Sequence, residues 1–178
     1  MRSIRRAFLI TMIVLPLSAL TALSAAEPAP RVRLETTLGN VVLELDRQQA
    51  PVTVENFLKY VNDGFYDGTV FHRVIDGFMA QTGCPQGTGT GGSSYPDLEA
   101  EFNAEPHVRG VCSMARAASP NSANSQFFIC FDDASFLNRQ YTIWGQVSEG
   151  MEHIDALPRG EPVPNPGRIV TMRVAADC

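Results

Sequence analysis

The sequence predicts a mainly β domain, an eight-stranded closed antiparallel β-barrel capped by two α-helices. Three observations lead there. Eight short runs rich in β-branched and aromatic residues are separated by turn residues. Only two stretches carry apolar side chains at helical spacing. Finally, 14 Gly and 12 Pro in 178 residues supply frequent tight turns while staying below the share that marks low-complexity chains. The composition, 44% hydrophobic and 19% charged, is that of one globular domain, and the chain shows no internal repeat or domain linker.

The first residues stand apart from this pattern. Arg2, Arg5 and Arg6 precede an apolar run over residues 7–23, and small Ser24, Ala25 and Ala26 follow. That order of charge, apolar core and small residues is the pattern of a secretory signal peptide, with cleavage expected after Ala26. An uncleaved anchor helix is the competing reading, but the run falls short of the ~20 residues a span needs and contains Pro16. The expected organisation is therefore a signal peptide over 1–26, a short leader over 27–31 and the folded domain over 32–178. Loss of three arginines leaves the remaining chain more acidic than the −5 of the full sequence. An acidic surface repels phosphate backbones, so nucleic acid is not an expected partner.

In chain order, residues 32–36 and 41–45 flank Leu38, Gly39 and Asn40 as a β-hairpin. Pro51 opens a helix whose Val54, Phe57, Leu58 and Val61 recur at i, i+3, i+4 and i+7, and Gly64 marks its end. Strands are expected over 69–75, 78–82, 111–115, 126–131, 141–147 and 168–175. A short helix over 149–157 carries Met151, Ile154 and Leu157 on one side and stops at Pro158. Pro162, Pro164 and Pro166 make residues 159–167 a loop.

Several chemistries lack their sequence signatures here. The histidines His72, His107 and His153 stand apart from one another and from the cysteines, without zinc spacing. No GxSxG elbow is present. Residues 87–92 satisfy GxGxxG, yet Pro96 follows where a phosphate-binding helix should continue. Glu99, Glu101 and Glu105 read as a solvated acidic loop. Cys84, Cys112, Cys130 and Cys178 allow three full disulfide pairings, and the alternative is that Cys112 and Cys130 are small apolar fillers inside strands.

The run from Phe71 to Gln81, FHRVIDGFMAQ, places a guanidinium and an amide among large apolar side chains, and Ser125-Gln126-Phe127-Phe128-Ile129 repeats the theme. Together with the glycine loop 87–92 and Ser113-Met114-Ala115, in this order and spacing, these runs resemble the cyclophilin-type peptidyl-prolyl cis-trans isomerases. The likeness covers essentially the whole chain after residue 32 and is nearest to the bacterial periplasmic branch. It implies an eight-stranded barrel with two helices, isomerisation of X-Pro bonds in exported proteins, a periplasmic location, and no cofactor or metal.

Residue by residue, the resemblance implies a catalytic group of Arg73, Gln81, Phe78 and Phe128. It implies a substrate-binding surface of Met79, Gly89, Ala115, Arg116, Ala117, Gln126, Phe136, Leu137 and Tyr141. The expected partners are proline-containing unfolded or extended polypeptide segments, bound by a monomer with no stable membrane insertion after signal cleavage. Three positions depart from familiar eukaryotic members: Phe136 stands where they have tryptophan, Tyr141 where they have histidine, and Arg116 where they have asparagine. Loss of the indole N–H removes a donor that cyclosporin uses. The rival reading is a holdase chaperone that captures the same segments with little turnover, and an assay of X-Pro exchange separates the two.

Overall fold

The computed structural model describes residues 28–175, so the expected signal peptide and Cys178 lie outside the described residues. All eight predicted strands and both helices form: β1 (Arg31–Thr36), β2 (Gly39–Leu45), α1 (Pro51–Asn62), β3 (Arg73–Ile75), β4 (Met79–Thr82), β5 (Val111–Met114), β6 (Phe127–Cys130), β7 (Ile143–Glu149), α2 (Met151–Asp155) and β8 (Ile169–Val174). A 3-10 turn over Ser135–Leu137, which no periodicity announces, is added between β6 and β7. The strands join in one antiparallel sheet of order β3-β4-β6-β5-β7-β2-β1-β8. No helix among the described residues is long and apolar enough to cross a membrane.

The sheet curls into a half-barrel, not the fully closed ladder that the sequence predicts, because its edge strands β3 and β8 do not pair directly. Isolated bridges, Val70 to Arg168 and Val74 to Gly160, span the gap instead. Prolines at 158, 162, 164 and 166 explain this, since each lacks the N–H that a ladder needs. The same effect shortens β3: residues 69–72 leave the strand to meet the start of β8, with Phe71 N–H on the Gly167 carbonyl at 2.9 Å and Ile169 N–H on the Thr69 carbonyl at 2.9 Å.

Helix α1 buries Val54, Phe57, Leu58 and Val61, as the spacing predicts. Phe57 packs on Trp144 with ring centroids 4.2 Å apart and edge-on to Phe127 at 5.6 Å. Pro51 fills the first turn. The orphan N–H groups of Val52 and Thr53 donate to the Glu101 carboxylate at 3.0 and 2.8 Å, and Thr53 Oγ1 donates to it at 2.7 Å. Glu101 is thus a helix cap supplied from 48 residues away, not a purely solvated charge. At the other end Gly64 takes φ 67°, and Phe65 N–H reaches the Tyr60 carbonyl at 3.0 Å, a glycine stop of the Schellman kind.

Two sequence-predicted boundaries move for identifiable reasons. The hairpin turn falls on Thr37 and Leu38, with Thr36 paired to Gly39. Glycine is favoured there because the residue takes φ 141°, which side-chain-bearing residues rarely adopt, and a Cβ would also press on the His153 ring of α2. Helix α2 is shorter than 149–157 because Glu149 belongs to the β7 ladder, opposite Val42.

Strand alternation divides the apolar side chains between two faces. Phe127 and Ile129 of β6 join the main core under α1 with Cys112, Val74 and Trp144. Phe128 and Cys130 turn to the opposite face with Met79, Val111, Leu137 and Ile143. Cys112 and Cys130 therefore lie on opposite faces of the sheet. Together with Cys84 they are free, buried thiols. Burial pushes the Cys130 thiol up to about 12 and Cys112 well above its ordinary value, so both behave as the apolar fillers considered from the sequence.

Candidate active site

The second apolar face is where the sequence-predicted site residues meet, and strand register places them. Directly opposed residues in an antiparallel pair share a face. Arg73 of β3 opposes Gln81 of β4, Gln81 opposes Phe128 of β6, and Phe128 opposes Ser113 of β5. One row across four strands thus carries a guanidinium, an amide, an aromatic ring and a hydroxyl. The neighbouring row carries Ile75, Met79 and Cys130. Phe78, Ala115 and Tyr141 pack against this cluster from its edge.

The apolar walls are aromatic. Phe128 stands edge-on to Tyr141 at 5.9 Å, and Phe78 tilts against Phe136 at 5.3 Å. Phe136, on the 3-10 turn, remains 64% exposed, so this wall opens to solvent. Leu137 beside it is buried. Arg116 lies over the Tyr141 ring at 4.5 Å, a cation–π contact, and donates to the Gln140 carbonyl at 3.0 Å and to the Ala117 carbonyl at 3.0 Å.

The polar side of the row is a connected chain of hydrogen bonds. Arg73 Nη1 donates to Gln81 Oε1 at 3.5 Å, the long end of the range. Gln81 Nε2 donates to Gln126 Oε1 at 2.9 Å. Gln126 Nε2 then donates to the carbonyls of Gly89 and Gly91 at 2.9 and 2.8 Å. The glycine loop therefore anchors Gln126, whose amide oxygen in turn holds the Gln81 amide that contacts Arg73. Gly89 takes φ 83°, and a side chain there would press on the His72 ring at 3.2 Å.

Cys84 secures the inner end of that loop. Its Sγ accepts the Gly89 N–H at 3.3 Å. Burial pushes the thiol up, but the backbone N–H groups of Gly91, Gly89, Thr88 and Gln86 outweigh it, and the net shift is below the ordinary thiol value. The loop thus cradles sulfur rather than phosphate.

Ala115 and Ala117 sit on the rim with part of their expected capacity already used. Ala115 N–H donates to the Gln126 carbonyl and Ala117 N–H to Ser122 Oγ, both at 3.0 Å.

Two residues here were not singled out in the sequence. His107, fully buried, stacks on Phe128 at 6.2 Å. Its Nε2 lies 3.1 Å from Ser113 Oγ and its Nδ1 3.1 Å from Asn138 Oδ1. Burial lowers its pKa against the opposing pull of Asn138, which keeps the ring a neutral floor under the aromatic wall. Glu161, in the proline-rich loop, accepts a hydrogen bond from Arg73 Nε. Its only sequence signal is an acidic residue inside a loop, which nothing distinguishes from a solvated charge.

A sheet of this order, bearing arginine, glutamine and aromatic groups in one row on its outer face, defines the cyclophilin class of fold and site, and comparison with known proteins agrees. Residues 31–174 match the family described as cyclophilin type peptidyl-prolyl cis-trans isomerase/CLD. A Brucella suis protein named "Probable peptidyl-prolyl cis-trans isomerase" is 47% identical over 181 residues, covering 93% of this chain and 92% of its own. A Synechococcus elongatus peptidyl-prolyl cis-trans isomerase is 43% identical over 146 residues, 81% of this chain and 95% of its own. Among solved structures, a Cryptosporidium parvum cyclophilin type peptidyl-prolyl cis-trans isomerase, crystallised in the presence of the dipeptide Ala-Pro, is similar with TM-score 0.78 and 32% identity. The match covers 83% of this chain and 99% of that one. The chain belongs to the cyclophilin-type peptidyl-prolyl cis-trans isomerases, and its activity is that of the family.

Proposed function

We propose that this chain is exported, loses residues 1–26, and accelerates rotation about X-Pro bonds in exported proteins as they fold in the periplasm, with Arg73 as the key donor. The observation that carries the mechanism is the row Arg73, Gln81, Phe128, in which a guanidinium held by an amide stands at the edge of an aromatic wall.

Rotation about a prolyl bond must break amide resonance, a barrier of ~18 to 20 kcal/mol, and unaided exchange takes ~10 to 100 s at 25 °C. As the bond twists, the prolyl nitrogen becomes pyramidal and its lone pair turns into an acceptor. A guanidinium N–H aimed at that lone pair stabilises the twisted state more than the planar one, which is differential binding. Arginine suits this role because its planar fork is a rigid, permanent donor. Apolar neighbours strengthen the hydrogen bond and disfavour the more polar planar amide.

Phe78, Met79, Phe128 and Leu137 grip the pyrrolidine ring in this reading, with Phe136 and Tyr141 as its outer walls. Gln81 and Gln126 orient Arg73, while Gly89 and residues 115–117 border the peptide. One side of the bond is held and the other turns, with no covalent step. The Ala-Pro dipeptide used with the Cryptosporidium relative supports proline-containing peptides as substrates.

Two measurements test this proposal. Mass spectrometry of the secreted product should give a chain beginning at Glu27, and retention of residues 1–26 in a membrane fraction would contradict export with cleavage. Replacing Arg73 with Lys should recover little activity beyond Arg73→Ala, because a point ammonium cannot reproduce the fork. An Arg73→Lys protein as active as the unmodified one would count against the assigned donor.

A further inference from the structure

We infer that Glu161 is a positioning residue for Arg73, fixing the plane of its guanidinium so that Nη2 is left as the donor for the prolyl nitrogen. This rests on the reading of Arg73 as the catalytic donor. The three nitrogens of Arg73 are divided unequally: Nε donates to Glu161 Oε1, Nη1 to Gln81 Oε1, and Nη2 has no partner among the described residues. An arginine on a strand edge has four rotatable side-chain bonds, and one 3.5 Å contact to Gln81 is a weak constraint on them. A second contact, at Nε and on the opposite edge of the planar group, restricts rotation about the long axis of the side chain.

Glu161 is itself held in place without help from its side chain. Gly160 and Val74 exchange both backbone hydrogen bonds, at 2.8 and 2.9 Å, and Val163 N–H donates to the His72 carbonyl at 3.1 Å. The loop is thus sewn to β3 on both sides of Glu161, immediately beside Arg73. The Glu161 side chain is 57% exposed and that of Arg73 33%, so their ion pair is worth little to stability. A carboxylate pinned by its backbone against the catalytic guanidinium, at small benefit to the fold, is placed for orientation.

The test uses the purified protein and its Glu161→Ala, Glu161→Gln, Arg73→Ala and double Arg73→Ala/Glu161→Ala variants. Exchange of an X-Pro peptide is followed by NMR, with Kd for the same peptide and the Arg73 Nε–H resonance. Glu161→Ala should lower kcat/KM about five- to tenfold with Kd moving less than about twofold, and Glu161→Gln, which keeps an acceptor oxygen, should restore it to within about twofold. The Nε–H signal should lose its hydrogen-bonded shift in Glu161→Ala and keep it in Glu161→Gln. In the Arg73→Ala background, Glu161→Ala should have no further effect. Unchanged or raised activity in Glu161→Ala overturns the inference, as does failure of Glu161→Gln to rescue, or an equal loss in both backgrounds. Those outcomes leave Arg73 as donor intact, whereas an Arg73→Ala protein of full activity removes the reading of Arg73 and the role of Glu161 with it.

Discussion

Arg73, Gln81 and Gln126 form a short polar chain whose members are bound on one side to each other and on the other to fixed backbone, at the Gly89 and Gly91 carbonyls. Such a chain turns a flexible guanidinium into an oriented one, which is what selective stabilisation of a twisted bond requires. Beside it, the aromatic wall tests the departures in the sequence. Phe136 packs against Phe78 and is otherwise largely exposed, so the position has room for a larger ring. Restoring the indole donor with Phe136→Trp should therefore tighten cyclosporin inhibition by about three- to tenfold, the worth of one hydrogen bond at 0.5 to 1.5 kcal/mol. Inhibition constants of the two proteins decide it, and equal values would show that the indole N–H is not the missing contact.

At the scale of elements, the strands and α1 were legible because their signals are local. Alternating Val, Leu and Phe set the strands, and Val54, Phe57, Leu58 and Val61 set the helix face. The row of Arg73, Gln81 and Phe128 was legible through family resemblance. Register then explains it, since each residue opposes the next across the sheet. What stayed hidden depends on contacts between distant segments. The open edge of the half-barrel follows from where the proline loop lies, and the places of His107 and Glu161 follow from loops that carry no periodic pattern. Glu101 is the same kind of case: residues 99–105 read as a solvated acidic loop, yet its carboxylate caps α1. Removing that cap with Glu101→Ala should cost about 0.5 to 2 kcal/mol, or roughly 2 to 8 °C in Tm, while turnover per folded molecule stays unchanged. Calorimetry beside the peptide assay checks this, and an unaltered Tm would deny Glu101 its role.

The molecule as a whole keeps its ionisable groups on opposite terms, and acid stability reports both. Burial lowers the pKa of His72 and His107 from 6.5, so the stability they contribute as neutral rings is present above that value and lost as pH falls below it. The guanidiniums of Arg173 and Arg109 hold Asp67 and Asp155 below the ordinary carboxylate value of 3.8. Their contribution is present above 3.8 and lost as pH falls through the lowered values. Denaturant unfolding at stepped pH should therefore show two successive declines, and His107→Asn should reduce the first; a flat profile from pH 7 to 4 would contradict the buried histidines. The scaffold and its chemistry meet at Arg73, which is proposed to serve the reaction and not the fold. The most direct measurement is NMR exchange of an X-Pro peptide with Arg73→Ala, with thermal unfolding followed on the same samples. The substitution should lower kcat/KM at least about ten- to a hundredfold, the ~1.5 to 3 kcal/mol of a charge-assisted hydrogen bond, with Tm and peptide affinity nearly unchanged. An Arg73→Ala protein that melts earlier yet turns over peptide at the full rate would contradict it.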